Sequence, residues 1–473
     1  MTESTTARRA RAGARLLIGA VVSVVAVIAV LLAIAAPWPR IAHEPVAVAA
    51  SPAPDEAVVV CDGALFAAGR NARSADEITV AARSTPLVAT DGGAEAADLP
   101  LRSPDVEGSG GAPAYSAQPQ GRAATALAAG SSARVAQADL SGFAVDACRP
   151  PLFESWLVGG DTSIGTSDLV VVANPGDVAA TVEITVYGAT GPVVPPGGTA
   201  VAIAARTQRV IPLAGLASGE ESPVLRITAT GAPVRASMQS SHVRTLVPGG
   251  VDQQSAVAAA AERQVIPGVV VTAPPGAAGA SDAATIVRIL APAHAGQAIV
   301  TVTAVGAATP ATPPATVPLA KGIPTELELS GLAVGSYVLT VDASVAAVAA
   351  VWQATGFGAG SDFAWLTSAP ALDGASLVAV PAGPSPTLQL ANPSADAATV
   401  TVHVVRGGEA DRSVEVPAGG SAALPLGAGT VVRVDPGDAG EVHAQVSFWD
   451  AGALAGFAAW PSDASAGPVR VYP

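Results

Sequence analysis

LVVVANPGDVAATVEITVYG at 169–188 and TLQLANPSADAATVTVHVVRG at 387–407 have the same layout. Each runs through an apolar strand, an Asn-Pro pair, five further residues and then Thr-Val at the start of a second, alternating strand. A looser copy, ATIVRILAPAHAGQAIVTVTAVG at 284–306, keeps Pro292 in the proline position. The Asn-Pro pair stops the first strand: Asn turns the chain with its side chain, while Pro fixes φ and withholds an N–H. In the following strand Val400, Val402 and Val404 recur with period two and so share one face.

The repeat extends on both sides of this core. IPLAGLASGEESPVLRITATG (211–231) matches LELSGLAVGSYVLTVDAS (327–344) and a shortened LPLGAGTVVRVDPG (424–437), each with a further strand behind it. A last element recurs as SGFAVDAC (141–148), GSDFAWL (360–366) and AGFAAWP (455–461). Because it appears just before Cys148, residues 57–150 read as a first, interrupted copy. The segments are 57–150, 151–262, 263–365 and 366–473, a full unit holding about seven or eight short strands. The expected class is all-β: tandem Ig-like β-sandwich repeats after a single N-terminal transmembrane helix. The alternative is a closed β-propeller-like ring, in which PVRVYP (468–473) pairs with AVVVC (57–61) and removes exposed sheet edges. Residues 86–122 show little periodicity and read as a long loop or disordered insertion.

The amino end obeys another rule. Leu16–Ala36 is a 21-residue run with no charge and no proline. As a helix it reaches roughly 30 Å, the thickness of a bilayer core. Residues 1–15 are a basic leader with Arg8, Arg9, Arg11 and Arg15, and residues 37–56 are a Pro/Ala-rich stalk. The run exceeds a signal-peptide core, and Ala47-Val48-Ala49, a possible cleavage site, lies well beyond it, so an uncleaved anchor is the preferred reading. Positive-inside asymmetry puts the leader in the cytoplasm and the bulk outside. The partner of Leu16–Ala36 is then the lipid bilayer.

Composition narrows the chemistry. The net charge of −14, with Lys321 as the single lysine, disfavours binding to nucleic acid. Cys61 and Cys148 suggest one disulfide outside the cytoplasm, the alternative being two separate buried thiols. No phosphate-binding loop, nucleophile elbow or His-Glu-x-x-His zinc motif is present. His403 and His443 fall in the last repeat, where Asp435 or Glu441 would be their partners, and they read first as polar positions on wet strand faces. Asp435, Asp438 and Glu441 match no calcium-loop spacing and suit a hairpin turn. Trp156, Trp352, Trp365, Trp449 and Trp460 fall at repeat ends and read first as core plugs, second as a platform for sugar rings. No catalytic, cofactor or metal residues are assigned, and the chain reads as no enzyme.

The anchor, VVVCDGAL around Cys61, CRPPLFESWLVGG from Cys148 and the Asn174-Pro175 repeats together resemble an uncharacterised family of actinobacterial membrane-anchored cell-envelope proteins, a domain of unknown function. That resemblance implies an extracytoplasmic location and an association with surface polysaccharide assembly, and it transfers no catalytic residue. The expected function is a non-enzymatic, membrane-tethered scaffold at the cell envelope, with envelope proteins or glycans as partners. The alternative is a glycan-binding or accessory subunit of an envelope polysaccharide assembly system.

Overall fold

The computed structural model describes residues 5–35, 48–50, 53–70, 73–74, 77–108, 111–121, 123–257, 259–272, 285–408, 410–437, 441–462 and 469–471. It forms two units, one of residues 1–52 with 467–473 and one of residues 53–466. In the first, Thr5–Ala35 is a helix whose stretch Gly13–Ile34 is long and apolar enough to cross a membrane. Val48–Ala50 pairs antiparallel with Val469–Val471, placing a strand inside the segment read as stalk.

The larger unit is built of β-strands, and its full modules share one topology. In the module 151–262, one sheet orders Glu154–Val158, Val224–Thr230 and Ala180–Gly188, the last also carrying two short strands. The other orders Thr207–Pro212, Leu169–Asn174, Arg235–Arg244 and Val247–Ser255. The Asn-Pro stop therefore lies where the chain crosses between sheets, from Leu169–Asn174 into Ala180–Gly188. Ala180, Val182, Ile184 and Val186 turn inward, packing with Val170, Val172 and Met238 of the opposite sheet. The stretch from Ser376 to Ala458 repeats the plan with Thr387–Asn392 between Val442–Asp450 and Gly420–Pro425. In the module 263–365, Gly335–Ala354 is a single 20-residue strand serving both sheets: its first half pairs with Gly296–Ala304 and its second with Thr285–Leu290. The sister modules break this strand at Gly231-Ala232-Pro233 and at Asp435-Pro436-Gly437. ASVAAV (343–348) contains no such breaker, so the strand runs on.

These are sandwich-like sheets, with no closed barrel or propeller among the described residues, so the closed-ring alternative is set aside. Val469–Val471 pairs with Val48–Ala50, and Ala57–Val60 pairs with Ala114–Ala117. Residues 86–122 also differ from expectation. Thr85–Thr90, Ala97–Asp98, Val106–Glu107 and Ala114–Ala117 are strands, each joined to the small sheets of the first module. Strands of two to six residues are too short to show a period in sequence.

One hairpin strand from each module joins a common cluster. Ser141–Ala147 packs on Val247–Ser255 and Ala453–Ala458, and both of these also pack on Phe363–Thr367. At their centre the fully buried Asp362 carboxylate accepts N–H bonds from all four: Phe143 (2.8 Å), Val251 (3.2 Å), Leu454 (3.2 Å) and its own neighbour Phe363 (3.1 Å). Gly142 and Gly250 make room for it. Each has positive φ, and a Cβ on either would stand 2.6–2.7 Å from Asp362 Oδ1. Three of these strands come from the repeat read in sequence. The fourth, VPGGVDQQS, escapes the pattern because Asp252, Gln253 and Gln254 are polar yet buried.

Candidate functional site

A groove of about 420 Å³ runs between the second and third modules. Arg288 forms its floor. It is the polar residue inside the apolar strand TIVRIL, and it is buried. Its Nη1 donates to Gly160 O and Pro223 O (2.8 Å each), Nη2 to Glu221 O (3.3 Å) and Nε to Glu326 Oε1 (2.8 Å). The guanidinium also lies 4.7 Å from the ring centre of buried Trp365. Burial lowers the Arg288 pKa and Glu326 opposes the shift. With its donors engaged by both modules, Arg288 cements the groove and serves as no free cation for a ligand.

The aromatic wall is continuous. Trp352 and Phe357 stack with ring centres 6.2 Å apart and an interplanar angle of 25°, and both are half-buried. Arg244 lies 4.2 Å from the Phe357 ring centre. Trp352 also approaches Phe363 (6.2 Å), which the His242 ring meets edge-on at 4.5 Å. Burial pushes His242 down to about 4, assisted by Arg244 and opposed by Asp161, so the imidazole is neutral at pH 7.

Oxygen acceptors also line the groove. Asp161 accepts from Ser163 N (2.7 Å) and Ser163 Oγ (2.8 Å). Asp168 accepts from Asp161 N (2.7 Å) and Ser241 N (3.3 Å); burial raises its pKa to about 7 against these bonds. Glu221 and Glu328 are exposed at the rim. The groove thus combines flat apolar ring faces, carboxylate and carbonyl acceptors and the neutral His242 imidazole.

The residues singled out in sequence scatter. Cys61 and Cys148 are joined as a disulfide, with an Asp146 carboxylate oxygen within 4.8 Å of both sulfurs. His403 Nδ1 meets Asp411 Oδ2 at 2.9 Å on an exposed face. His443 is buried instead, with Nδ1 2.7 Å from Ala369 O and Nε2 3.3 Å from Glu441 Oε1. Asp435 accepts from Gly437 N in a turn, and Asp438 lies outside the described residues. Of the tryptophans, Trp156 and Trp365 are buried, Trp449 is 40% exposed, Trp460 lines a different cleft, and Trp352 with Trp365 reaches the groove. Sequence reasoning did not single out His242, Phe357 and Arg288; the one available signal was an arginine inside an apolar strand.

Comparison with known families supplies the rest. A family model described as a family of unknown function (DUF5719) matches residues 104–427, most of the chain and all of the groove. The chain belongs to this family. The match takes in the second and third modules of this DUF5719 member whole, and the Asn174-Pro175 and Asn392-Pro393 turns fall within it. No curated protein and no solved structure matches the chain.

Proposed function

We propose that this DUF5719 member is a non-enzymatic, membrane-tethered interaction scaffold at the cell envelope, and that it engages a glycan in the groove between its second and third modules. The observation that carries the reading is the stacked pair Trp352–Phe357 in a groove also lined by Asp161, Glu221 and Glu328, the last in the same cross-strand row as Trp352. The non-enzymatic part is supported by how the best-buried groups of the groove are used. Asp168 is held by two backbone N–H groups, Arg288 is spent on carbonyls and Glu326, and His242 rests against Phe363. The extracytoplasmic location is supported by the arginines ahead of Gly13–Ile34, which favour retention of the leader in the cytoplasm.

The test is binding of the full-length protein, held in lipid nanodiscs, to an immobilised panel of neutral, amino and acidic oligosaccharides. At least one class is expected to be retained, and Trp352→Ala is expected to weaken it by about 1–3 kcal/mol, roughly 5- to 150-fold. Trp352→Phe should restore part of the loss. Retention of no oligosaccharide, or binding indifferent to Trp352→Ala, refutes the glycan reading.

A further inference from the structure

We propose that a second cleft, between the first and fourth modules, binds a long-chain carboxylic acid drawn from the membrane, its hydrocarbon on the apolar walls and its carboxylate on Arg149. The cleft encloses about 320 Å³, and its walls include Val58, Ala126, Ala128, Leu377 and Phe457. This lining favours a hydrocarbon chain over a polar ligand.

Arg149 is the polar feature that sets the ligand's head group. It is 7% exposed, donates through Nη2 to Ala458 O, and lies 5.0 Å from the Trp460 ring centre. Its Nε has no hydrogen-bond partner. The nearby buried carboxylates are taken by another arginine, since Arg235 Nη2 is 3.0 Å from Asp62 and 3.0 Å from Asp146. Among the described residues no carboxylate lies within ion-pair distance of Arg149. Burial lowers the Arg149 pKa to about 9, abetted by Arg235 and resisted by Asp146 and Asp62, so the group keeps its charge at neutral pH. A buried cation without a contacting anion is costly, and a ligand carboxylate offsets that cost. Glu56, exposed on the lining, opposes an acid only weakly because water and salt screen it.

The source of the ligand follows from chain connectivity. The cleft is lined by the first and last segments of the larger unit, Glu56–Val59 and Trp460–Ser462. Glu56 follows the helix end Ala35 by only 21 residues. The cleft is on the same chain as a bilayer-length helix, and membrane-borne acids are therefore the source we assign to its ligand.

The test is photolabelling of the full-length protein in nanodiscs doped with a diazirine-bearing palmitic acid, with adducts mapped by peptide mass spectrometry. Adducts are expected on peptides spanning 125–129, 377–379 and 457–462. Unlabelled palmitic acid should compete at least about tenfold better than hexadecanol, because only the acid satisfies Arg149. Ala126→Phe, at a half-buried wall position, should abolish the same adducts while leaving any on the membrane helix. Label confined to the helix, equal competition by the alcohol, or unchanged adducts in a folded Ala126→Phe protein would each overturn the proposal. The competition arm uses the wild-type chain and so does not depend on whether the variant folds.

Discussion

At the scale of single residues, Asp362 does the work of a hub. Both carboxylate oxygens accept backbone N–H groups, Oδ1 from Val251 and Phe363 and Oδ2 from Phe143 and Leu454. Burial pushes its pKa well up, and those four donors pull against the shift. The geometry predicts that Asp362→Asn, though nearly isosteric, is strongly damaging, and Asp362→Ala more so. In either amide orientation the –NH₂ group faces two N–H donors and cannot accept from them. Each orphaned buried donor costs about 1–3 kcal/mol; Asn orphans two and Ala all four, so Asn should lose about 2–6 kcal/mol and Ala more. Urea titration of the full-length protein checks this. An Asn variant with a wild-type midpoint would show that one oxygen suffices and that the hub is held by packing alone.

At the scale of elements, the Asn-Pro stop proves to be a cross-tie as well as a turn. Asn392 is buried, and its Nδ2 donates to Asp396 O (2.8 Å) and to Val416 O (3.2 Å), while Oδ1 accepts from Ser394 N (3.1 Å). Asn174 does the same with Val178 O, Ile203 O and Gly176 N. Each asparagine thus pins its turn to a strand lying beyond it. Asn392→Ala should cost about 1–3 kcal/mol through unpaired buried carbonyls. Asn392→Asp should cost at least as much, because it sets a carboxylate against those same oxygens. The readout is the denaturation midpoint at unchanged m-value. The third module has Ala291 at this place and uses backbone instead: Gly322 N donates to Ala291 O at 2.8 Å. That substitution explains why its copy looked weak in sequence. The sandwich strands were legible because their apolar positions alternate, as in Val400 and Val402. The central strand Val247–Ser255 was not, because Asp252, Gln253 and Gln254 are polar yet buried, Asp252 and Gln253 bonding to Trp365 N and Gly63 O of other modules and Gln254 to Val158 O of its own. The groove was half legible for the same reason. Its tryptophans stand out by composition, whereas Phe357 and His242 gain meaning only through the packing of two modules.

At the scale of the whole body, the disulfide and the shared core give opposite expectations for how far damage spreads. Cys61–Cys148 closes a loop within the first module, at a sequence separation of 87. Local folding would confine the effect of removing it to residues 57–148. The packing argues otherwise. Phe143, Val145 and Ala147 belong to the same core as Val378, Leu388, Val446 and Phe448 of the last module. The Phe143 and Phe448 rings are 6.1 Å apart, and Arg433 pairs with Asp91 across the same boundary. The Ser141–Ala147 strand that carries this core begins where Asp362 binds and runs into Cys148. Loosening Cys148 therefore loosens the last module. Replacing both cysteines with serine should remove about 4–5 kcal/mol in the loop-entropy account. Hydrogen exchange should show amides of 376–458 losing protection together with those of 57–148, while strands of the second module such as Ala180–Gly188 change least. Protection lost from 57–148 alone would mean that the first module opens by itself, and that the core it shares with the last module contributes little to holding the two together.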